Sequence, residues 1–553
     1  MKRPGAVRMG SQSDEFASSV RAEQAVESRP IGRRESGSVL LEVALGVVLV
    51  LSLVYVLSTP PTSAQAGTKT AALSQSVLPV EKPAIPLGIL SLPTNHLPPV
   101  DSLVAAKDDP FFPSRAQTAH PVTTDMFTSA ESCKECHAEI YEQWSGSMMA
   151  HAWVDPVYRE ILRRASVATE GAVDKFCIGC HSPIGLTTST VDARTKVEED
   201  KQCSGVSCDA CHTISRITGT GNASFVLEPV TLDRPVKYGP RDDAFSPFHD
   251  TTRSDLHTRS EFCATCHNVT HPFNKLPVER TYDEWRDSPY NAAGIDCQDC
   301  HMKAAPGVAT NPGLGGKERS DIATHFFAGA NATMDTYFGR PEMAERAREM
   351  LRSAATIEFV QPPARVEAGT PLEVRVRVTN TGAGHKLPTG FPEGREVWID
   401  FKVQDADGAV LFESGAIRDG KTEPGTRSYK AVLCDPANNV VDLEVWKADR
   451  LVADTRILPK GNALETYSFA LPPGAKGPLT LVADLFYASF SQALLDELLG
   501  EGVLKGEVVL MTSARHTLEV GASVPLATPA AAPAATARVS ESKGSASAPS
   551  RQE

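Results

Sequence analysis

The pentapeptide Cys-x-x-Cys-His occurs five times between Cys133 and His301. Two thiols separated by two residues can bond both vinyl groups on one edge of a porphyrin, and the adjacent histidine can bind its iron. This motif is the attachment signature of c-type haem. We therefore predict five covalent haems c, attached through Cys133 and Cys136, Cys177 and Cys180, Cys208 and Cys211, Cys263 and Cys266, and Cys297 and Cys300, with His137, His181, His212, His267 and His301 as proximal iron ligands.

Paired cysteines also occur in zinc sites, thiol redox centres and disulfides. Neither a tetrahedral zinc site nor a disulfide requires a histidine directly after every pair, so the fivefold repetition of that histidine favours haem. Ten of the twelve cysteines belong to the motifs. The other two, Cys203 and Cys434, are either free thiols or partners in a disulfide.

The spacing of the motifs limits the fold around them. Residues 133–301 contain all five motifs, which leaves about 34 residues for each haem. This is too short for a separate domain around each haem, so the porphyrins must pack against one another and form much of the core. We predict a pentahaem cytochrome c domain at residues 126–345 that is mostly α-helical and loop-rich, with short helices beginning at several motifs.

Segments around the motifs resemble a known family. They read SCKECHAEIYEQWSGSMMAHAW (132–153), YGPRDDAFSPFH (238–249), FCATCHNVTHP (262–272), TYDEWRDSPYNAAGIDCQDCHM (281–302) and THFFAGAN (324–331). They are similar to the multihaem cytochromes that include cytochrome c554 and hydroxylamine oxidoreductase. The resemblance implies haems stacked as closely spaced pairs and electron transfer along them, in some members with one open haem that performs chemistry.

Each iron also needs a second axial ligand if it is to be six-coordinate. Fourteen histidines are present, and nine of them lie outside the motifs. We predict that five of these nine are distal ligands: His151, His249, His271, His325 and His385. His257 competes with His271 for a place beside the fourth motif, whereas His96 and His516 lie outside the dense region.

His385 carries the most specific of these predictions. It lies in the segment NTGAGHKLPTG (380–390), where glycines allow the backbone to approach a flat ring and Pro388 restricts its conformations. Similar segments follow the haem region in relatives. We expect His385 to bind one haem and to fix the C-terminal domain to the haem domain; the alternative is a turn histidine exposed to water.

The hydrophobic pattern changes after a predicted helix at Arg340–Ala355. In Leu372–Val378 apolar and charged residues alternate, which is typical of a half-buried strand, and Val397–Val403 repeats the alternation. Further predicted strands are Val410–Phe412, Thr466–Leu471, Leu479–Leu485 and His516–Val520. We predict an all-β immunoglobulin-like sandwich at residues 346–525.

An apolar run at Val39–Leu57 is about nineteen residues long, just enough to cross a bilayer. Arginines precede it and no basic residue follows until Lys69, which places the N-terminus in the cytoplasm and the remainder outside. Residues 1–66 are therefore predicted as a cytoplasmic N-terminus with an export or transmembrane segment. A Pro-rich linker at 67–125 and a disordered Ala/Pro tail at 526–553 complete the domain organisation.

Three fates of the apolar run stay open. A signal peptidase can cut at Ala64-Gln65-Ala66, the run can remain as an anchor in the inner membrane, or a prepilin-like motif at Gly37–Glu42 can direct processing. We predict a periplasmic protein anchored to the cytoplasmic membrane by this segment. A secreted or cell-surface location is the alternative.

The formal net charge of −13 argues against nucleic acid as a partner and suits basic redox partner proteins. We predict an electron carrier rather than an enzyme, with no catalytic residue assigned. The first alternative is an enzyme that acts on a small nitrogen or sulfur compound at one five-coordinate haem. The second is self-association into a haem-lined extracellular filament.

Overall fold

The computed structural model describes residues 109–196 and 205–521. The predicted membrane segment Val39–Leu57, Cys203 and the predicted tail lie outside the described residues. Across the described ranges, no helix is both long and apolar enough to cross a bilayer. We refer to the described residues up to 354 as the motif region and to residues 355–521 as the strand region.

The motif region consists of short helices joined by long loops and small sheets. Its helices are Ala130–Lys134, Ala138–Ser145, Pro156–Ala168, Asp174–His181, Pro183–Thr187, Cys208–His212, Ser260–Ala264, Thr281–Arg286, Pro289–Ala292, Cys297–His301, Ala332–Tyr337 and Pro341–Ala354. Its strands are Ile214–Ile217, Phe225–Leu227, Val230–Thr231, Arg234–Gly239, Asp250–Arg253, Val269–Thr270, Pro277–Glu279, Ala304–Val308 and Glu318–Ala323. Single 3₁₀ turns lie at Thr124–Met126, Asp255–Thr258 and Pro312–Leu314.

The end of the predicted linker belongs to this fold, which corrects the boundary at residue 125. Gln117–Thr118 pairs in parallel with Phe225–Leu227, and the neighbouring Ala116 is fully buried. Phe111 packs against the same apolar cluster. These apolar residues give residues 109–125 a surface to bury, which an extended tether lacks.

The strand region contains two larger sheets and several short ladders. Its strands are Ala355–Phe359, Arg365–Glu367, Pro371–Asn380, Glu396–Gln404, Val410–Ser414, Ile417–Arg418, Lys421–Thr422, Ser428–Tyr429, Ala431–Cys434, Val440–Val441, Arg450–Asp454, Asn462–Ala470, Leu479–Ala488 and Val508–Gly521. A 3₁₀ turn lies at Val445–Lys447 and one helix at Gln492–Leu499. All predicted strands are present, although most extend two to eight residues beyond the predicted bounds.

In the three-stranded sheet, Pro371–Asn380 lies between Ala355–Phe359 and Asn462–Ala470, and both pairings are antiparallel. The six-stranded sheet has Leu479–Ala488 at its centre, between Glu396–Gln404 and Val508–Gly521. Its outer strands are Arg365–Glu367, Val410–Ser414 and Ser428–Tyr429.

Residues of both sheets share one apolar core. Val374, Val376 and Val378 of the smaller sheet are fully buried, as are Ile399 and Phe401 of the larger one. Side chains in a strand alternate between its two faces, so the alternation at 372–378 directs every valine to this core and every charge away from it. The apolar residues whose alternation predicted the strand are therefore the residues that pack it into the core.

Two smaller apolar clusters join the motif region to the strand region. Val157 and Met334 pack with Leu495 and Leu498 of the helix Gln492–Leu499. Val269 and Val278 pack with Leu433, Val441 and Ala448. These contacts fix how the strand region lies against the motifs.

Candidate haem-binding site

Each motif folds as one helical turn. His137 donates its backbone N–H to the carbonyl of Cys133 (2.8 Å), and His267 does the same to Cys263 (2.9 Å). The other three motifs lie within helices, where the same pairing of residues four apart applies. Residues three and four apart share one helix face, so both thiols and the imidazole of a motif can reach the same ring.

The motifs surround a single large cavity of about 2090 Å³. This is at least twice the volume of an ordinary small-molecule pocket, which is roughly 300–1,000 Å³. Nine histidines line it, namely the five of the motifs together with His249, His257, His325 and His385. The cavity has room for more than one porphyrin, and its walls carry the groups that bind iron.

Four motif histidines are oriented in the same way by the backbone. In each, Nδ1–H donates to a carbonyl oxygen, and since a carbonyl only accepts, Nδ1 holds the proton and Nε2 keeps a lone pair. The four acceptors are Ala309 for His137 (2.5 Å), Ala152 for His181 (2.9 Å), Tyr238 for His212 (2.7 Å) and Ala328 for His301 (2.6 Å). This is the arrangement that fixes a histidine as a metal ligand through Nε2.

The histidine of the fourth motif is different. Nδ1 of His267 lies 3.7 Å from Oε1 of Glu279, a side chain that is only 5% exposed. Burial lowers the pKa of His267, but the Glu279 carboxylate outweighs that effect and raises the pKa to about 9. One proximal position thus faces a carboxylate where the other four face a peptide carbonyl.

Two motif histidines each face a second imidazole across the cavity. The ring centroids of His212 and His325 are 6.4 Å apart, with an angle of 26° between the planes. Those of His301 and His385 are 6.5 Å apart at 18°. In both second histidines Nδ1–H donates to a local carbonyl, Ala323 or Lys386, at 3.0 Å.

Two further histidines, His249 and His257, also line the cavity. His249 donates Nδ1–H to the carbonyl of Asp250 (3.1 Å) and interacts electrostatically with His137. His257 lies beside the third motif, 5.4 Å from the His212 ring, with Nε2 3.3 Å from the Cys211 carbonyl. Its Nδ1 is buried without a hydrogen-bond partner.

The prediction of His271 as a distal ligand is wrong in this geometry. Its Nδ1 accepts from the backbone N–H groups of Phe273 (3.4 Å) and Asn274 (3.3 Å), and Nε2–H donates to the Trp446 carbonyl (3.2 Å). No lone pair remains for iron, and His271 does not line the cavity. Of the two competing histidines beside the fourth motif, the structure brings His257 to the cavity.

His151 also lies outside the cavity lining. Its ring packs against Phe338 with centroids 4.2 Å apart, and Nδ1–H donates to the Ser147 carbonyl (2.8 Å). The next residue, Ala152, presents its backbone carbonyl to Nδ1 of His181. His516 faces the Pro363 carbonyl within the strand region.

The loop that carries His385 is held against the motif region by one buried carboxylate, Glu284. Its Oε2 accepts from the backbone N–H of Lys386 (3.3 Å) and from Oγ1 of Thr389 (2.7 Å). Its Oε1 accepts from Nη1 of Arg456 at 2.7 Å, and both side chains of this ion pair are at most 6% exposed. A β-carbon at Gly382 would collide with the Ser353 carbonyl, so the loop can lie this close only because the residue is glycine.

Thiols of different motifs contact one another, which shows which motifs are neighbours. The thiol of Cys133 interacts with that of Cys208, and the thiol of Cys180 with that of Cys266. The thiols of Cys263 and Cys297 form a third interacting pair. The first motif therefore adjoins the third, and the fourth adjoins both the second and the fifth.

Burial keeps several cavity histidines neutral. It lowers the pKa of His181, His257 and His325 to about 4. A neutral imidazole is the form that binds a metal through its free nitrogen.

These residues fit c-type haem. The paired thiols, the Nε2 atoms left free by the Nδ1 bonds and the large cavity supply what the group requires. Sequence reasoning found the motif residues and missed the groups that orient them, above all Glu279 and the four carbonyls. Apart from the family-like segments, no local pattern marks these groups, because they reach the histidines through the tertiary fold.

Comparison with protein families found one match: residues 132–213 match the model described as cytochrome c554 and c-prime. The search of curated proteins found no match. Among solved structures, a penta-haem cytochrome c552 from Thermochromatium tepidum aligns over 72% of this chain and 100% of its own, with 19% identity and a TM-score of 0.49. The sporulation control protein Spo0M from Bacillus subtilis aligns over 30% of this chain and 49% of its own, with 11% identity and a TM-score of 0.13.

The family match covers the first three motifs, and the same motif recurs twice more downstream. Residues 132–213 are thus similar to the family of cytochrome c554 and c-prime, and the five attachment motifs agree with a multihaem c-type cytochrome.

Proposed function

We propose that this protein carries electrons along five covalently bound haems outside the cytoplasmic membrane. The observation that carries the proposal is the pairing of His212 with His325 and of His301 with His385. Bonds from a metal to an imidazole nitrogen are about 2 Å long, so an iron between two imidazoles holds the ring centroids about 6 Å apart. The observed 6.4 and 6.5 Å match that spacing.

Two axial histidines saturate a haem iron and leave no position for a substrate. Haems ligated in this way transfer electrons without chemistry at the iron. The pairs at the third and fifth motifs therefore favour a carrier. His249 is the proposed distal ligand at the first motif, since it lines the cavity next to His137.

His385 is the proposed ligand that comes from the strand region. Its ring lies across the cavity from His301, and the bonds of Glu284 to Lys386, Thr389 and Arg456 hold its loop in that place. Ligation of this haem would join the two regions through iron. The alternative is that His385 is a turn histidine exposed to water. A His385 ring that lines the cavity does not support that alternative.

The contacts between thiols support an order for the haems. The third and fourth motifs are also neighbours, because the Cys211 thiol lies in the electrostatic field of Cys266. We infer a path from the first haem through the third and fourth to the fifth, with the second haem branching from the fourth. The fourth haem is then the junction of the chain.

A second candidate function rests on the count of cavity histidines. Four non-motif histidines line the cavity within the described residues, one fewer than the five motifs. The His181 imidazole is instead covered by the ring of Tyr158, with centroids 3.7 Å apart and planes 3° from parallel. An iron with one open position at the second motif could bind a small nitrogen or sulfur compound.

For the strand region we propose an immunoglobulin-like sandwich that contributes His385 and meets a redox partner protein or a second copy. Two mostly antiparallel sheets around one core support this assignment. The segment Val39–Leu57 is the proposed anchor in the inner membrane, with the haems on the periplasmic side.

Electron paramagnetic resonance of the fully oxidised protein tests the carrier against the enzyme. Five low-spin irons, unchanged by nitrite or hydroxylamine, are expected for a carrier. A high-spin signal that shifts when either compound is added would replace the carrier by the enzyme.

A further inference from the structure

We propose that Glu279 is a positioning residue that lowers the reduction potential of the haem at the fourth motif. The inference rests on the proposed function, which places a haem at His267, and it assigns to Glu279 a role in setting the potential of that haem. Glu279 faces the proximal histidine of this motif, with its Oε1 3.7 Å from Nδ1 of His267. It acts through the imidazole of His267.

A small hairpin places the carboxylate. Val269–Thr270 pairs antiparallel with Pro277–Glu279, and Glu279 lies directly opposite Val269. His267 lies two residues before Val269, and its backbone carbonyl accepts from the N–H of Tyr282 (3.1 Å), three residues after Glu279, so the two segments stay adjacent beyond the hairpin. Oε1 of Glu279 consequently lies 3.7 Å from Nδ1 of His267.

The carboxylate is held in this position. Glu279 is 4% exposed, and its Oε1 also accepts a hydrogen bond from Oγ1 of Thr281 (3.0 Å). The His267 side chain is 49% exposed, and it faces the cavity. The carboxylate is therefore behind the imidazole and the haem position is in front of it.

A carboxylate acts on a proximal histidine more strongly than a carbonyl does. Its negative charge attracts the Nδ1 proton, which makes the imidazole a stronger donor to iron through Nε2. Hydrogen bonds around an axial ligand and the charge near it both tune haem potential. Ferric haem carries one positive charge more than ferrous haem, so a nearby negative charge also stabilises the oxidised state directly.

The other four motif histidines provide an internal comparison. Their Nδ1 atoms face peptide carbonyls at 2.5 to 2.9 Å. Only the fourth motif, which adjoins the second and the fifth, combines a buried carboxylate with the proximal imidazole. Because its potential would be lower, the fourth haem would hold an electron only briefly during transfer. At equilibrium the electrons would reside on the haems around it.

The test is a redox titration of the full-length holoprotein, followed by optical absorption and electron paramagnetic resonance. In Glu279→Gln, one of the five midpoint potentials should move to a more positive value while four stay in place and the haem content is unchanged. Glu279→Asp keeps the charge on a shorter side chain, so the same potential should move in the same direction by less.

Glu261→Gln is the matched control, because Glu261 lies two residues before Cys263 and is paired with Arg259 rather than with a motif histidine. It should leave all five potentials in place. The proposal is overturned if Glu279→Gln and Glu279→Asp shift no potential, or if Glu261→Gln shifts one equally. Absence of haem from the fourth motif of the wild-type protein would contradict the proposed function itself.

Discussion

The motif region and the strand region are built on opposite principles. The strand region closes its own core with side chains such as Val374, Val376 and Phe401, all fully buried. The motif region surrounds a cavity of about 2090 Å³ that its own side chains leave open. Protein interiors are close-packed, so a cavity of this size becomes a core only with a ligand of matching shape inside it. One region is specified by its sequence, whereas the other is specified by its sequence and its haems together.

The largest expected effect comes from withholding haem. A chain that lacks residues 1–66 should stay in the cytoplasm, away from the compartment where c-type haem is attached. Limited proteolysis of this apoprotein should degrade the motif region and leave a resistant fragment that contains the strand region. Equal resistance of both regions to proteolysis would contradict the conclusion that the motif region depends on haem and the strand region does not.

His385→Ala tests whether the two regions meet at an iron. Loss of the imidazole should convert one of five irons to high spin and leave the number of covalent haems unchanged, because the thiols are untouched. Electron paramagnetic resonance and mass spectrometry measure the two quantities.

The matched control for that variant is His516→Ala, since His516 belongs to the strand region and faces the Pro363 carbonyl. It should keep every iron low-spin. A wholly low-spin spectrum in both variants would show that the two regions meet without sharing an iron.

Glu284→Ala tests the contact between the His385 loop and the motif region at a protein side chain that does not bind iron. Removing one member of a buried ion pair destabilises a protein by about 3–5 kcal/mol, since the remaining charge is left without its partner. Here the remaining charge, Arg456, keeps its ion pair with Asp454, which places the expected loss at the lower end of this range; the loop of His385 also loses two hydrogen bonds.

We expect a lower denaturation midpoint and a partly high-spin population that grows with temperature. Glu358→Ala, which breaks an exposed pair with Arg377, should change neither. If Glu284→Ala leaves the spin state unchanged up to the unfolding transition, Glu284 does not position the ligand.

A smaller effect concerns pH at the junction of the two regions. Burial raises the pKa of Asp335 from 3.8 to about 7; Arg348 opposes this shift and Glu507 adds to it. The folded state therefore holds the proton more tightly than the unfolded state, so stability falls as pH rises from about 4 to about 7.

Asp335→Asn should remove this dependence and raise stability near pH 8 by on the order of 2 kcal/mol. Denaturation at pH 5 and pH 8 measures the difference. The exposed Asp233→Asn should follow the wild type. A wild-type slope that persists in Asp335→Asn would assign the pH dependence to another group.

Sequence reasoning succeeded where local pattern and local structure coincide. The alternation in Leu372–Val378 predicted a strand, and the structure extends it to Pro371–Asn380. The added residues lack the alternating charges, and only pairing with the neighbouring strands reveals them. The haem-attachment residues stay a prediction, which rests on five consecutive positions that contain the whole attachment chemistry.

The second axial positions depend on contacts that sequence does not contain. His271 and His257 look alike beside the fourth motif, yet only His257 reaches the cavity. The reason lies far along the chain, at the Trp446 carbonyl that accepts from His271. Glu279 is a comparable case, because only the pairing of two short strands brings it to His267.

The central claim is that all five motifs carry haem in one electron-transfer chain. Intact-mass spectrometry of the purified protein, with acid-acetone extraction as a second measure, tests it most directly. The account predicts a mass that exceeds the mature polypeptide by five haem groups, none of which is extracted. A mass increase of four haems or fewer, or release of any haem by acid acetone, would contradict it.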